Sequence, residues 1–437
     1  MKKLLLTLLS LLLASVQAHA TKVEFKDGRW FDGHGFSAAT FYSVDGTLTL
    51  ERPPAVDRTV DLAGKFVVPA FGDAHHHGID GIEGLDAKVD SFLDAGVFYV
   101  KNPNVIPDLL TPAVRAKLNR PTSIDVVFSN GGLTASGGHP ARLHDMLAKR
   151  GVFPGLGPGE MDNHAYVLVD NPADLDAKWP LVLAAKPDFI KTYLLYSEEF
   201  DKRATMGTDA KGLDPKLLPL IVARAHEAGL RVSTHIETAA DFRHAVQAGV
   251  DEINHLPHLG RSAGTNLAPY LIDEATATLA AQKKVAVVAT LRDPASTPTG
   301  MMMGPAGKPS PADEAAMRER MKQRSEAEAE LNRRNLLALA AAGVTIGLGS
   351  DGISGERPFV TSRGAAQYLN TYRIFDVPTI ITMWSANTGA TIFPHRKIGR
   401  LASGYEADFL VLEGDPLADF ANLSRIALRV RQGEVLK

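Results

Sequence analysis

The sequence predicts an α/β fold: a (β/α)8 TIM-like barrel, with a small β-sandwich domain formed by both chain ends. Three observations predict it. A rhythm of short apolar stretches followed by helical stretches fills the middle of the chain, which is the pattern of parallel β/α units. The two ends are instead short, β-like and punctuated by turns. The 437-residue length suits a large barrel with a satellite rather than one small domain.

The rhythm supplies eight candidate strands: Phe66–Val68, Gly96–Val100, Ile124–Phe128, Asp188–Ile190, Arg231–Thr234, Glu252–Ile253, Val285–Ala289 and Val344–Leu348. Helices are expected over Pro215–Ala228, Ala239–Ala248, Asp273–Gln282 and Ala312–Ala342. A doubly wound open sheet is the rival architecture, but no Gly-rich phosphate loop follows the first strand. At the N-terminal end, Val23, Phe25, Phe41, Leu48 and Leu50 stand between turn signals such as Val44-Asp45-Gly46. At the other end, Asp408–Leu412, Ile426–Val430 and Glu434–Leu436 read as strands, the last two joined by a Gln432-Gly433 turn. Chain ends often lie close together, so the expected division is 21–65 and 397–437 for the sandwich and 66–396 for the barrel.

Residues 1–20 stand apart. Lys2 and Lys3, the apolar run from Leu4 to Ala14 and the small-x-small triplet Ala18-His19-Ala20 read as a secretory signal peptide cut after Ala20. The run is short of the ~20 residues that span a bilayer, so no stable membrane anchor is expected and the mature chain is expected in the periplasm or outside the cell. Losing Lys2 and Lys3 takes the formal charge from −3 to −5. That balance, without basic runs interleaved with aromatics, argues against nucleic acid. The chain has no cysteine. Disulfides are therefore excluded, and any metal must be held by nitrogen and oxygen ligands. A Pro-, Gly- and Met-rich segment, Thr297–Pro311, is a candidate lid, with Met301, Met302 and Met303 as a soft contact.

Chemistry-bearing groups fall at the ends of the candidate strands, where a barrel carries its active-site loops. In Asp73-Ala74-His75-His76-His77, residues i and i+2 point the same way in extended chain. His75 and His77 can therefore grip one ion while His76 points elsewhere. Lys191, His235, His255 and Asp351 each follow a further strand. Any one of these alone is more often a hydrogen-bonded or solvated group; the case rests on their convergence at one rim. Imidazole and carboxylate suit zinc and its neighbours. A lysine ammonium has no lone pair to offer a metal, but an amine capped by CO2 becomes a carbamate that can join two ions.

The spacing resembles the amidohydrolase superfamily over nearly the whole mature chain. Val67–His77 is similar to its entry motif, Phe189-Ile190-Lys191 to its carbamylated-lysine strand, and Gly399-Arg400-Leu401 with Gly404–Leu417 to its C-terminal sandwich signature. Within it the chain looks most like the imidazolonepropionase-like and metal-dependent prolidase-like branch, through His235 to His255 and Gly137-Gly138-His139. The resemblance implies two divalent ions, zinc first and manganese second, held by His75, His77, His235, His255, Asp351 and carbamylated Lys191. It further implies Asp351 as catalytic acid–base, and His139 as a catalytic residue that holds or polarises a small-molecule substrate. The expected reaction is hydrolysis of an amide-type C–N bond by a metal-bridging hydroxide. An esterase or lactonase on the same site, and a non-catalytic binding protein on the same frame, are the alternatives. Three positions depart from the pattern. Ala70 replaces the usual Gly, and Glu237 stands where some prolidase-like relatives have Tyr. Thr238 stands where deaminase-like branches have Glu, which favours two metals and hydrolysis. Substrate and oligomeric state stay unassigned by sequence.

Overall fold

The computed structural model describes residues 21–153, 155–203, 211–259, 264–292, 311–353 and 359–436. The expected signal peptide and nearly all of the candidate lid lie outside them. Among the described residues no helix is long and apolar enough to cross a membrane.

Both chain ends build one eight-stranded sheet. Its order is Glu434–Val435, Ile426–Arg431, Phe409–Leu412, Phe66–Pro69, Lys22–Phe31, Phe36–Val44 and Thr47–Thr49, with Arg58–Asp61 also paired to Lys22–Phe31. The hairpin turns follow from their residues. Asp45 and Gly46 have φ of 50° and 75°, and Gln432 and Gly433 have 49° and 78°. Two successive positive values match the right-handed twist of a tight hairpin. The sheet bends until its far regions meet: Leu48 N–H donates to the Tyr405 carbonyl and Ala407 N–H to that of Gly46. Val23, Phe25, Trp30, Phe41, Leu48, Val67, Phe409, Val411 and Val430 form the core enclosed by the bend. The expected sandwich is thus one continuous hydrogen-bonded sheet folded over its own core.

The middle of the chain forms parallel sheet, as the β/α rhythm requires. Three strands pair in the order Phe71–Asp73, Val97–Asn102, Asp125–Phe128. Seven pair in the order Tyr166–Leu168, Gly132–Thr134, Phe189–Tyr193, Arg231–His235, Glu252–Asn254, Ala286–Ala289, Ile346–Leu348. Backbone contacts connect the two groups on both sides. Ala74 N–H donates to Leu348 O at 2.9 Å and Asp188 N–H to Phe128 O at 2.8 Å. Isolated parallel bridges join His76 to Gly352 and Ser129 to Phe189.

Two expectations need correction. Phe66–Val68 is not a strand of the parallel system; Phe66–Pro69 pairs antiparallel with Phe409–Leu412 in the terminal sheet. The antiparallel pairing runs out just past Pro69, where Ala70 N–H donates to Asp408 O at 3.1 Å, and the parallel strand starts at Phe71. Gly132–Thr134 and Tyr166–Leu168 went unforeseen, being only three residues long. The helices came close to expectation: Leu218–Glu227, Ala239–Ala248, Glu274–Gln282 and Pro311–Ala341. Thr238 and Asp241 form a capping box at the second.

Candidate active site

Asp73 organises the first half of the site. Its carboxylate is fully buried and accepts N–H groups from His75 at 3.3 Å, Ser350 at 2.9 Å and Ser362 at 2.9 Å. It thereby clamps the loops after Phe71–Asp73 and Ile346–Leu348 together. Burial pushes it up to about 6 against those hydrogen bonds. The clamp continues through the backbone, since Asp351 N–H donates to His75 O at 2.7 Å and His77 N–H to Gly352 O at 2.8 Å.

Three side chains converge on this frame. His75 Nε2 and His77 Nε2 are 3.1 Å apart, and each lies 3.3 Å from Asp351 Oδ1. These three residues alone, among the described histidines and acids, bring three ligand-type atoms within 4.8 Å of one another. Asp351 keeps 41% of its side-chain surface open. Burial acts to raise it, but hydrogen bonds from His75 and His77 outweigh burial and hold it well below the usual carboxylate range. His76 turns away: its Nδ1 meets Ser350 Oγ at 3.0 Å, and its ring packs on Phe92 and Phe359. His75 Nδ1 is buried without a partner among the described residues.

The other candidates surround this triad. The His255 ring centroid is 4.7 Å from that of His75 and 4.6 Å from that of His235. Thr290 Oγ1 sits 2.6 Å from His255 Nδ1, which leaves Nε2 for the site. Lys191 is buried, and burial lowers it to about 7. Its ammonium donates to Asn254 Oδ1 and lies 5.2 Å above the Tyr193 ring. Its charge bears on His75, His235 and His255. The His139 ring stacks on His235 at 5.2 Å. All seven sequence-derived residues therefore gather in one place. His255 and Asp351 have φ of 73° and 49°; such left-handed backbone at non-glycine residues is rare and collects at functional sites.

Sequence reasoning missed several neighbours. Glu237 Oε1 is 3.1 Å from His235 Nε2 and its Oε2 is 2.7 Å from His258 Nε2. Burial acts to raise Glu237, but its two histidines hold it well below the carboxylate range. Arg292 donates to the carbonyls of Ser350 and Asp351. Tyr193 lies two residues beyond Lys191 on one strand, and that same-face spacing was the available signal. Burial, reinforced by the charge of Asp351, raises its phenol. Beneath Lys191 the interior is polar. Lys101 donates to Glu252 at 2.8 Å, Ser233 Oγ meets both Glu252 and Asn254 at 2.9 Å, and Asn254 donates to Glu252 at 3.0 Å.

The residues present fit divalent cations. Two imidazole nitrogens and a carboxylate oxygen point at one locus, and that nitrogen–oxygen donor set is one such ions take.

The model of the amidohydrolase family matches residues 190–436. The chain belongs to that family. This amidohydrolase is accordingly a hydrolase acting on carbon–nitrogen bonds of small molecules. Its fold is shared with solved structures at low identity. A prolidase complexed with N-methylphosphonate-L-proline matches at TM-score 0.68 and 20% identity, covering 95% of this chain and 100% of that one. The A. niger ochratoxinase matches at TM-score 0.69 and 16% identity, with 95% of each chain covered. A Xaa-Pro dipeptidase with bound methionine matches at TM-score 0.68 and 16% identity, covering 95% and 100%. No curated protein matches in sequence.

Proposed function

We propose that this amidohydrolase is an exported, two-metal enzyme that hydrolyses an amide-type C–N bond. His75, His77 and Asp351 would hold one ion and His235 and His255 the other, and Lys191 as its CO2 adduct would supply a further anionic ligand. The observation that carries the reading is the convergence of His75 Nε2, His77 Nε2 and Asp351 Oδ1 within 3.3 Å. Zinc or manganese bound there supplies a Lewis acid for the carbonyl and lowers the pKa of water. Asp351 accepts the proton of the attacking water and delivers it to the leaving amine. His139, stacked against His235, faces the substrate and holds it. The buried Lys191 amine is supported as the CO2 acceptor because a free ammonium beside two cations would be strongly repelled. The edge contacts Ala74–Leu348 and Asp188–Phe128 support reading the parallel strands as one closed (β/α)8 barrel with this site at its mouth. The prolidase and dipeptidase likenesses make dipeptides a natural first substrate class, although Glu237 replaces the Tyr of some prolidase-like relatives.

The test loads the purified protein with zinc or manganese, counts metal per chain, and offers N-acyl amino acids, dipeptides, cyclic imides and lactones. Two ions per chain and turnover on an amide are expected. Turnover confined to esters or lactones, or a chain that takes up no metal, overturns the reading. N-terminal sequencing of the mature protein is expected to begin at Thr21; Met1 on soluble cytoplasmic protein would sink export.

A further inference from the structure

The strand Phe189–Tyr193 carries Phe189, Lys191 and Tyr193 on one face. Lys191 and Tyr193 are two residues apart, and alternation along a strand points both the same way. Lys191 is already accounted for, whereas Tyr193 has no part in the reading above. Its ring is held from several directions. His139 lies at 5.4 Å and His235 at 5.5 Å between ring centroids, and the Lys191 ammonium is 5.2 Å from the ring. The remaining side is Gly132, where an added Cβ would stand 2.3 Å from Tyr193 Cε2. The glycine thus makes room for the ring on the neighbouring strand, since any larger residue would push the tyrosine out of place.

The hydroxyl is the informative atom. Tyr193 is buried at 3% exposure. Yet no described residue hydrogen-bonds its hydroxyl, which is absent from the buried polar atoms that are both sealed and unpartnered. A phenol that buries its ring and keeps its O–H unpaired but accessible presents that O–H to open space. With His139 and His235 flanking the ring, that space belongs to the candidate active site. A neutral O–H there is a ready donor to charge developing on a substrate oxygen.

We infer that Tyr193 is a further catalytic residue: its hydroxyl donates a hydrogen bond to the carbonyl oxygen of the scissile amide as negative charge gathers there. This rests on the hydrolytic reading above. In that reaction the water oxygen bonds to the carbonyl carbon and the C–N bond breaks. One water proton passes through Asp351 to the amine, and Tyr193 keeps its own proton throughout.

Tyr193→Phe removes only the oxygen and leaves the ring in its Gly132 cradle. With metal content and melting temperature near wild type, kcat is expected to fall by about 10²-fold with KM little changed, the size of losing one oxyanion donor. A tetrahedral phosphonate analogue of the best substrate is expected to lose affinity for the variant by a similar factor. The planar product acid should bind as before; a residue that merely packs would not produce that split. Gly132→Ala, which displaces the ring without touching the hydroxyl, serves as the second variant and is expected to lose the phosphonate selectively too. A wild type that cleaves nothing in the panel removes the hydrolytic reading and this inference with it. A wild type that cleaves an amide, beside a Tyr193→Phe enzyme within threefold in kcat and in phosphonate affinity, removes this inference alone.

Discussion

At the scale of single residues, the site works by placing lone pairs that would otherwise seek other partners. Asp351 sits with its Oδ1 3.3 Å from both His75 and His77, so its carboxylate is ionised and oriented before any substrate arrives. Asp351→Asn is nearly isosteric and removes the base. Turnover is expected to drop by ~10²-fold or more while the fold survives; near-normal kcat on a confirmed substrate would end that assignment. Lys191 is the sharper case. Lys191→Ala is expected to bring metal content below two per chain and abolish turnover, with partial return of both when a small carboxylic acid is supplied. Full activity with two metals retained would instead leave the lysine a buried structural residue, bonded to Asn254 for packing alone.

At the scale of elements, the question is how the terminal sheet is fastened to the parallel strands. A buried charge network does it. Asp125, at the start of Asp125–Phe128, receives Arg431 from the strand Ile426–Arg431 and Arg396 at 2.8 Å. Arg396 also pairs with Glu406 at 2.6 Å, and Tyr99 donates to Asp408 at 2.7 Å. The Arg431 side chain is 1% exposed, and its Nε and Nη1 have no partner among the described residues. Removing Asp125 takes away its hydrogen-bond acceptor and leaves a buried cation with only Asp408 as a neighbouring counter-charge among the described residues. Asp125→Ala is therefore expected to cost about 3–5 kcal/mol, read from denaturant melts. A loss under ~1 kcal/mol would mean the guanidinium is hydrated on its own and the network does not fasten the two parts.

At the scale of the whole molecule, the candidate ligands come from strands distant in sequence, so occupancy of the site should stabilise the entire fold. Ions that bind only the native state stabilise by mass action. Chelation is expected to lower the melting temperature, and adding back zinc or manganese is expected to raise it progressively with free ion. A melting curve indifferent to chelator would show that the ligands stand ready without metal and that binding adds nothing to the fold.

Much of this was legible in the chain by itself. Alternating and continuous apolar runs depend on nearest neighbours, so the central parallel strands, the hairpin turns at Asp45-Gly46 and Gln432-Gly433, and the four helices could be placed from local pattern. Most of the seven candidate residues were legible for the same reason, because they lie at or just beyond a strand end; Lys191 instead stands mid-strand in Phe189–Tyr193, and His139 was read from Gly137-Gly138-His139. Tertiary structure decided what local pattern cannot carry. Phe66–Val68 reads in sequence as the first strand of the parallel system, and only the partner Phe409–Leu412, more than three hundred residues away, assigns it to the terminal sheet. The three-residue strands Gly132–Thr134 and Tyr166–Leu168 exist through their neighbours rather than through any period of their own. Glu237 reads in sequence only as a departure from a relative's Tyr; folding sets it between His235 and His258. The role inferred for Tyr193 required knowing that Gly132 lies under its ring. Periodicity records which face a residue takes, whereas the identity of what it meets there depends on long-range pairing, and that is a property of the closed three-dimensional packing alone.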